Sequence, residues 1–199
     1  MRKLFLFLLS GLLLLSCQNS TENAVVDNIM ARRSIRQYQD KAVERDLITR
    51  IMDCGINAPS GQNKQSWEIR IVDNPVLMNE IKDLLVAGNP SEDPEFIRGC
   101  FRGAPVMCFI ANDTTYRFSQ FDCGMLAQNI MLSATAMGLG SICLGYPVRY
   151  MNDSAPCQAV LEKLGFSENF QFCLCVGLGY ANESPAARER KKEKYKFID

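Results

Sequence analysis

The segment from Phe121 to Met137 places the strongest constraint on how this chain folds. It contains no proline, and its apolar residues recur on nearly every side of a helix drawn through it. Such a helix has no wide polar face to turn toward water, so it must be covered on all sides by the rest of the chain or by a partner. We therefore predict a central helix here, with Asp122 as its N-terminal cap.

Hydrophobic periodicity predicts the elements around this helix. Helices are predicted around residues 25–30, 47–52, 77–85 and 153–165, and strands at 67–71, 106–111, 141–144 and 170–178. These elements interleave without the regular spacing of βαβ units. The sequence thus predicts an α+β fold, in which helices cover a sheet, rather than a doubly wound parallel sheet.

Composition excludes several kinds of chemistry. The 199 residues include no histidine, so a Ser/His/Asp triad, a Cys/His dyad and a His-ligated zinc are all impossible. The 22 basic and 22 acidic residues balance, which argues against nucleic acid as a main partner because counterion release needs a surplus of Lys and Arg. No metal site is expected. Chemistry must then depend on Ser, Cys, Lys, Tyr, carboxylates or a bound cofactor.

The N-terminus has the features of an export signal. Arg2 and Lys3 precede an apolar run from Leu4 to Leu15. This run is too short to cross a bilayer, which needs about 20 apolar residues, and it has the form of the apolar region of a signal peptide. It ends in Ser16-Cys17, which resembles a bacterial lipobox. The alternative is a buried apolar helix that happens to precede a cysteine.

The lipobox resemblance implies cleavage before Cys17 and attachment of lipid to its thiol. We therefore expect a lipoprotein-type signal peptide at residues 1–16, a tether at 17–23 and one domain at 24–199. The protein would then be exported and membrane-anchored, on the periplasmic or cell-surface side.

Eight further cysteines are spaced irregularly, and most lie within apolar runs. We interpret them as small buried hydrophobic side chains, although export would also permit disulfides, and their redox state stays open. Cys173 and Cys175 are two residues apart in a predicted strand, so their sulfurs are predicted to lie on one face of it.

Two basic clusters lie near opposite ends of the chain. The first is Arg32-Arg33-Ser34-Ile35-Arg36, and the second, residues 188–192, contains Arg188 and Arg190. Guanidinium groups and a serine hydroxyl suit phosphate oxygens. Basic residues after a helix also interact with its dipole, and a basic tail is often solvated. Sequence spacing leaves open whether the two clusters converge on one dianion.

Two other segments are rich in small residues. The loop Ala58–Trp67 offers backbone N–H groups and an Asn amide, which suit a heterocyclic ligand that has both hydrogen-bond donors and acceptors. An ordinary capped turn is an equally good interpretation of this loop. The segment Gly138–Gly145 fails the dinucleotide fingerprint. Cys143 stands where the third glycine is required, and the glycines follow a helix instead of a strand.

Four of these motifs, taken in order, identify a family resemblance. The chain resembles the nitroreductase-like FMN-dependent oxidoreductases from about residue 25 to 196, through RRSIR, APSGQNKQSW, DCGMLAQNIMLSATAMGLGSICLG and ARERKK. The resemblance implies a three-layer α+β sandwich with a mixed, mainly antiparallel sheet flanked by helices. It also implies an obligate homodimer that holds FMN at its interface, with the helix at 121–137 in the dimer core.

The resemblance further implies an FMN-binding role for four segments. These are the basic motif after the first helix, the loop that reaches FMN from the other subunit, the strand end beside the flavin ring, and the tail that returns to the phosphate. By position the residues are Arg32, Arg33, Ser34 and Arg36; Pro59, Ser60, Gly61 and Asn63; Cys143, Leu144 and Gly145; and Arg188 and Arg190. Arg36 matches a basic residue near the N1–C2=O edge of the flavin. No side chain is assigned a catalytic role.

The reaction implied is hydride transfer from a reduced donor, NAD(P)H or another, through flavin N5 to a small electrophile such as a nitroaromatic or a quinone. The alternative is a non-catalytic flavin- or ligand-binding lipoprotein. Two departures from the family pattern leave the substrate open. Many members carry Asn and Lys where this chain has Ile97 and Cys100, and residues 143–146 replace a P-x-E-G pattern of some members.

Overall fold

The computed structural model describes residues 23–198. The predicted signal peptide, Cys17 and most of the predicted tether lie outside the described residues. Within the described range, no helix combines the length and the apolar character that crossing a membrane requires.

Helices and strands alternate along the described chain in short segments. In order they are α1 (Ala24–Ala31), α2 (Arg45–Ile56), β1 (Trp67–Val72), α3 (Pro75–Gly88), α4 (Pro94–Gly99), β2 (Val106–Asp113), α5 (Ser119–Ala136), β3 (Gly140–Leu144), α6 (Tyr146–Arg149), α7 (Ala155–Leu164) and β4 (Phe170–Gly179). All the helices and strands predicted from periodicity are present, and the α+β prediction is confirmed. The short helices α4 and α6 were not predicted, because neither is long enough to show a helical period.

The four strands form one sheet in the order β1-β2-β4-β3, and each adjacent pair is antiparallel. A parallel component comes from a single bridge between Ser34 and Ser141, next to the hydrogen bond from the Ile35 N–H to the Ser141 carbonyl (3.0 Å). This bridge places the first basic cluster along the outer edge of β3. The predicted mixed, mainly antiparallel sheet is therefore correct.

Two apolar clusters cover the opposite faces of the sheet and give the fold three layers. One cluster, called the α2–α5 cluster, includes Ile51 of α2 and Leu126 of α5. The other includes Ile81 of α3 and Val160 of α7. Alternate residues of β2 face the two clusters, as the pleat of a strand requires. The pattern explains why β2 reads as a continuous apolar run in the sequence.

The central helix α5 packs closely against α2. A Cβ added to Gly55 would lie 2.6 Å from Cγ1 of Ile130, so a glycine is needed where the helices approach. The opposite side of α5 is not covered by its own chain, because Phe121 and Met125 are 68% and 36% exposed. A single chain therefore buries only the side of α5 that faces its own core. Burial on every side, as predicted, would need a partner.

The predicted N-terminal cap of α5 is wrong. The capping position is Phe118, which makes no side-chain cap hydrogen bond. Asp122 lies within the first turn, is 1% exposed and bonds to the loop between α2 and β1 instead. A carboxylate in a first helical turn can serve the helix dipole and a neighbouring segment together.

The prediction that Cys173 and Cys175 share a face is also wrong. Phe172 pairs with Ala111 and Leu174 pairs with Ile110, so Cys173 is the extra residue of a β-bulge. Cys173 and Leu174 consequently both face the α2–α5 cluster, whereas Cys175 faces the other one. A bulge shifts the alternation of a strand by one residue, and nothing in the sequence marks it.

The eight described cysteines are free thiols. The interpretation as buried hydrophobic side chains is correct for five of them, namely Cys100, Cys108, Cys123, Cys157 and Cys175. Burial raises the pKa of Cys108 to about 12, as expected for an inert structural thiol. Cys143 is exposed, and Cys54 and Cys173 are half-buried.

We predict that Ile81→Ala lowers the free energy of unfolding by about 2–5 kcal/mol, because it opens a cavity in a close-packed core. Ile81 is fully buried at the centre of α3. The matched control is Val76→Ala on the same helix, since Val76 is 65% exposed; its effect should stay within about 0.5 kcal/mol. Urea denaturation measures both, and equal losses would contradict this account of the core.

Candidate functional site

The segment before α2 and the segment after β4 run side by side. Gln39 N–H donates to the Tyr180 carbonyl (2.9 Å), and Asn182 N–H donates to the Gln37 carbonyl (2.9 Å). The Glu183 carboxylate accepts from the backbone N–H groups of Arg36 and Gln37. These bonds position the segment after β4 alongside the first basic cluster.

Both basic clusters therefore line one cavity, which we call the arginine cavity. Its volume is about 130 Å³, and its lining consists of Arg32, Arg33, Ser34, Arg36, Pro185, Ala186, Arg188 and Arg190. No carboxylate lines it, and none of the salt bridges found within residues 23–198 involves these five arginines. The structure thus brings together the two basic clusters, whose convergence sequence spacing had left open.

Positive charge is concentrated without a counter-charge in this cavity. Burial lowers the pKa of Arg32, and the neighbouring charges of Arg190 and Arg33 lower it further. Like charges held together in a partly desolvated place favour the binding of an anion, which would offset their repulsion. Guanidinium groups can bind a phosphate through paired hydrogen bonds. The cavity is therefore suited to a phosphate group.

Arg33 also interacts with the C-terminal end of α1, which is the role that the sequence offered as an alternative to anion binding. Arg33 Nη1 donates to the carbonyl of Met30 (2.5 Å) in the last turn of α1. It therefore stabilises the end of a helix as well as lining the cavity. Arg36 Nη1 donates to the carbonyl of Ser34 (2.9 Å), which holds that guanidinium close to the motif.

The end of β3 lies beside the arginine cavity. Burial and the neighbouring Cys173 raise the pKa of Cys143, whereas the charge of Arg32 lowers it. The Leu144 side chain points into the core on the other face of the sheet, so only its backbone can serve a ligand. Gly145 is the capping position of α6, and a Cβ there would meet nothing within 4 Å, which leaves open space at the strand end.

The predicted loop residues Pro59, Ser60, Gly61 and Asn63 do not line the arginine cavity of the same chain. They lie between α2 and β1, in a segment with an unusual backbone. Gln62, Asn63 and Gln65 all have positive φ, at 57°, 56° and 47°. Left-handed backbone at residues other than glycine costs free energy and persists only where the surroundings hold it.

Asp122 supplies that support. Its buried carboxylate accepts from the hydroxyl of Ser66 (2.6 Å) and from the backbone N–H of Gly61 (3.2 Å). The Ser60 hydroxyl accepts from the backbone N–H of Gln65 (3.0 Å) and closes the loop on itself. At Gly61 an added Cβ would lie 2.0 Å from the hydroxyl of Tyr116, so a larger residue there would displace the Tyr116 side chain.

Sequence reasoning missed two residues that organise the site. Asp122 was interpreted as a helix cap, yet an acid within an otherwise apolar helix was a usable signal of a buried polar contact. Glu183 docks the tail onto the first cluster, but an acidic residue in a polar tail carries no comparable signal.

A larger cavity of the described chain lies elsewhere. It has a volume of about 530 Å³, is formed by residues 38–43, the start of α3 and residues 103–106, and contains none of the predicted site residues. Of its two acidic residues, Asp40 and Asp73, Asp73 is already paired with Arg45 (2.6 Å). Charge and chemistry, rather than volume, identify the arginine cavity as the candidate site.

Comparison with known proteins gives consistent matches. The sequence model of the Nitroreductase family matches residues 29–180. A nitroreductase with bound FMN from Desulfitobacterium hafniense DCB-2 has a TM-score of 0.78 at 30% identity, covering 88% of this chain and 98% of that one. A nitroreductase with bound FMN from Bacteroides fragilis NCTC 9343 has a TM-score of 0.78 at 28% identity, with 89% and 100% covered. The NADPH-flavin oxidoreductase of Vibrio harveyi is 28% identical over 176 residues, which are 84% of this chain and 70% of that protein.

We predict that Asp122→Asn loosens the loop at residues 60–66. Loss of the charged acceptor should lower the free energy of unfolding by about 1–3 kcal/mol and make the loop more sensitive to limited proteolysis. Asp53→Asn on the exposed side of α2 is the matched control, and it should leave both quantities unchanged. Equal cleavage rates in the two variants would show that Asp122 does not hold the loop.

Proposed function

This chain belongs to the nitroreductase family, and we propose that it is an FMN-dependent NAD(P)H oxidoreductase whose flavin phosphate binds in the arginine cavity. The observation that carries the proposal is the convergence of five arginines from both ends of the chain on one cavity without a carboxylate. A dianionic phosphate is the group that such a cavity binds best.

The residues present suit FMN along its length. Arg32, Ser34, Arg188 and Arg190 would hold the phosphate, and Arg36 would lie toward the ring. The open strand end at residues 143–145 lies beside Arg32 and leaves room for a planar ring. When bound, FMN supplies the hydride chemistry, so the protein needs to provide position and charge instead of a histidine base. A nearby guanidinium favours the anionic reduced form of a flavin.

A second copy of the chain would complete the site. The loop at residues 59–63 does not line the arginine cavity of its own chain, and the uncovered side of α5 exposes Phe118, Phe121 and Met125. Apolar side chains grouped on one helix face favour association. In a homodimer, α5 would be buried as its composition demands, and each loop could reach the flavin of the other subunit.

The reaction proposed is electron transfer from NAD(P)H or another reduced donor to a small electrophile such as a nitroaromatic or a quinone. Ile97 and Cys100, where many members carry Asn and Lys, are 0% and 4% exposed. They pack in the core and offer no polar group to a substrate. Arg98, between them, pairs with Asp83 (2.6 Å). We expect acceptor recognition to depend on ring stacking more than on side-chain hydrogen bonds in this region.

Export and lipidation at Cys17 form a separate part of the proposal, which rests on the sequence of residues 1–17 alone. Expression of the full chain in a bacterium should yield a membrane-associated, lipid-labelled protein. Cys17→Ser should abolish the label and release the protein from the membrane fraction. A full chain that stays unlabelled in the soluble fraction would exclude this anchoring.

The activity is tested by reconstitution and anaerobic reduction. The purified protein, incubated with FMN and desalted, should retain a yellow chromophore with one FMN per chain. NADH or NADPH should bleach it without oxygen, and a nitroaromatic or a quinone should restore it. A protein that binds no FMN would overturn the proposal. A yellow protein that neither nicotinamide reduces and no acceptor reoxidises would instead be a flavin-binding protein without this activity.

We predict that Arg32→Ala weakens FMN binding about tenfold or more, since a hydrogen bond to a charged group contributes about 1.5–3 kcal/mol. Arg50→Ala is the matched control, because Arg50 is an exposed residue of α2 that lies outside the cavity. Quenching of flavin fluorescence measures the Kd of each variant, and thermal melting of the apoproteins separates weaker binding from poorer folding. An unchanged Kd in Arg32→Ala would remove this residue from the phosphate site.

A further inference from the structure

Three thiols lie on the α5-facing side of the sheet. Cys123 is in the first half of α5, Cys143 is near the end of β3, and Cys173 is the bulged residue of β4. Cys143 pairs with Val176, and Val176 belongs to the α2–α5 cluster, which fixes the face that Cys143 occupies. The proposed flavin site includes the strand end at Cys143 but uses neither Cys123 nor Cys173.

The β-bulge turns Cys173 toward the face of the sheet on which Cys123 lies. In a regular strand, Cys173 and Leu174 would face opposite sides, but the bulge turns both toward α5. The sulfur of Cys123 lies at the same point, 3.7 Å from the carbonyl oxygen of Ala111. Ala111 is opposite Phe172, the residue just before Cys173. Bulges occur where a side chain has to be re-aimed, and here the re-aimed side chain is a thiol.

The two thiols differ in a way that suits exchange chemistry. Cys123 is fully buried, whereas Cys173 is half-buried and reachable from solvent. The neighbouring Cys123 thiol, which can donate a hydrogen bond, lowers the pKa of Cys173, and the same neighbour effect raises the pKa of Cys123. The thiolate is the attacking species in disulfide exchange. An accessible thiolate next to a buried thiol is the arrangement of an attacking and a resolving cysteine.

We propose that Cys123 and Cys173 form a reversible intramolecular disulfide and that the pair is a thiol–disulfide exchange site for low-molecular-weight disulfides.

The exchange proceeds in two balanced steps. The Cys173 thiolate attacks one sulfur of the small disulfide RSSR, forms a mixed disulfide and releases the first thiolate, which takes up a proton. Cys123, on losing its proton, then attacks the Cys173 sulfur and displaces the second thiolate. Two protein thiols and RSSR thus become one protein disulfide and two RSH. Excess RSH reverses both steps.

The test uses the purified full chain, reduced and then exposed without oxygen to oxidised glutathione. Remaining thiols are blocked with N-ethylmaleimide, and peptide mass mapping locates the new bonds. We expect a loss of two thiols per chain, a peptide pair linked through Cys123 and Cys173, and full recovery with reduced glutathione. Cys123→Ser and Cys173→Ser should each abolish the link. Cys54→Ser, which removes another half-buried thiol, should retain it.

Three results would overturn the proposal. These are a link from Cys173 to Cys143, a glutathione that stays on Cys173 without displacement, and a chain that keeps all its thiols. The mapping of the unaltered chain decides among them even if a variant folds poorly.

A second measurement tests the contact between the two sulfurs. The pH midpoint for alkylation of Cys173 should move to higher pH in Cys123→Ala, which removes the hydrogen-bond donor. Cys123→Ser keeps a donor and should largely preserve the midpoint. An unchanged midpoint in Cys123→Ala would show that Cys123 does not stabilise the thiolate.

Discussion

The backbone pairing of residues 34–39 with β3 and with the segment after β4 is the interaction on which the site depends. It joins parts of the chain that are more than 100 residues apart, through the bridge of Ser34 to Ser141 and the bonds of Gln37 and Gln39 to the tail. Backbone bonds of this kind are indifferent to side-chain identity. They can therefore position a cluster of like charges that would never assemble by attraction between its members.

That assembly has an energetic consequence for the protein without a ligand. Five arginines line one cavity with no carboxylate in its lining, and the repulsion between their charges has to be offset by the surrounding core. Binding of an anion removes the repulsion and adds charge-assisted hydrogen bonds. Ligands that bind only the folded state stabilise it by mass action, so cofactor content and stability should be closely linked in this protein.

Much of the fold could be predicted from the sequence, because periodicity reports which face of an element is buried. The strand at 106–111 and the helix at 121–137 were predicted in this way, both basic clusters were identified from the residues themselves, and the family resemblance implied their common role at a phosphate. The convergence of those clusters was not predictable from spacing, since it depends on backbone bonds between distant segments. The bulge at Cys173 and the contact of Asp122 with Ser66 escaped for the same reason. A register shift leaves no local pattern, and an acid within an apolar helix signals a buried polar contact without identifying its distant partner.

The two sides of the arginine cavity differ in how firmly they are held. Arg32, Arg33 and Arg36 belong to a segment that is bonded to β3 and to the tail, whereas within the described chain no backbone hydrogen bond ties residues 184–190 to the rest of the molecule. The positions of Arg188 and Arg190 therefore depend on side-chain contacts of the tail, whereas the first cluster is positioned by backbone pairing. A bound anion that contacts both sides would add to the tail the attachment that its backbone does not supply.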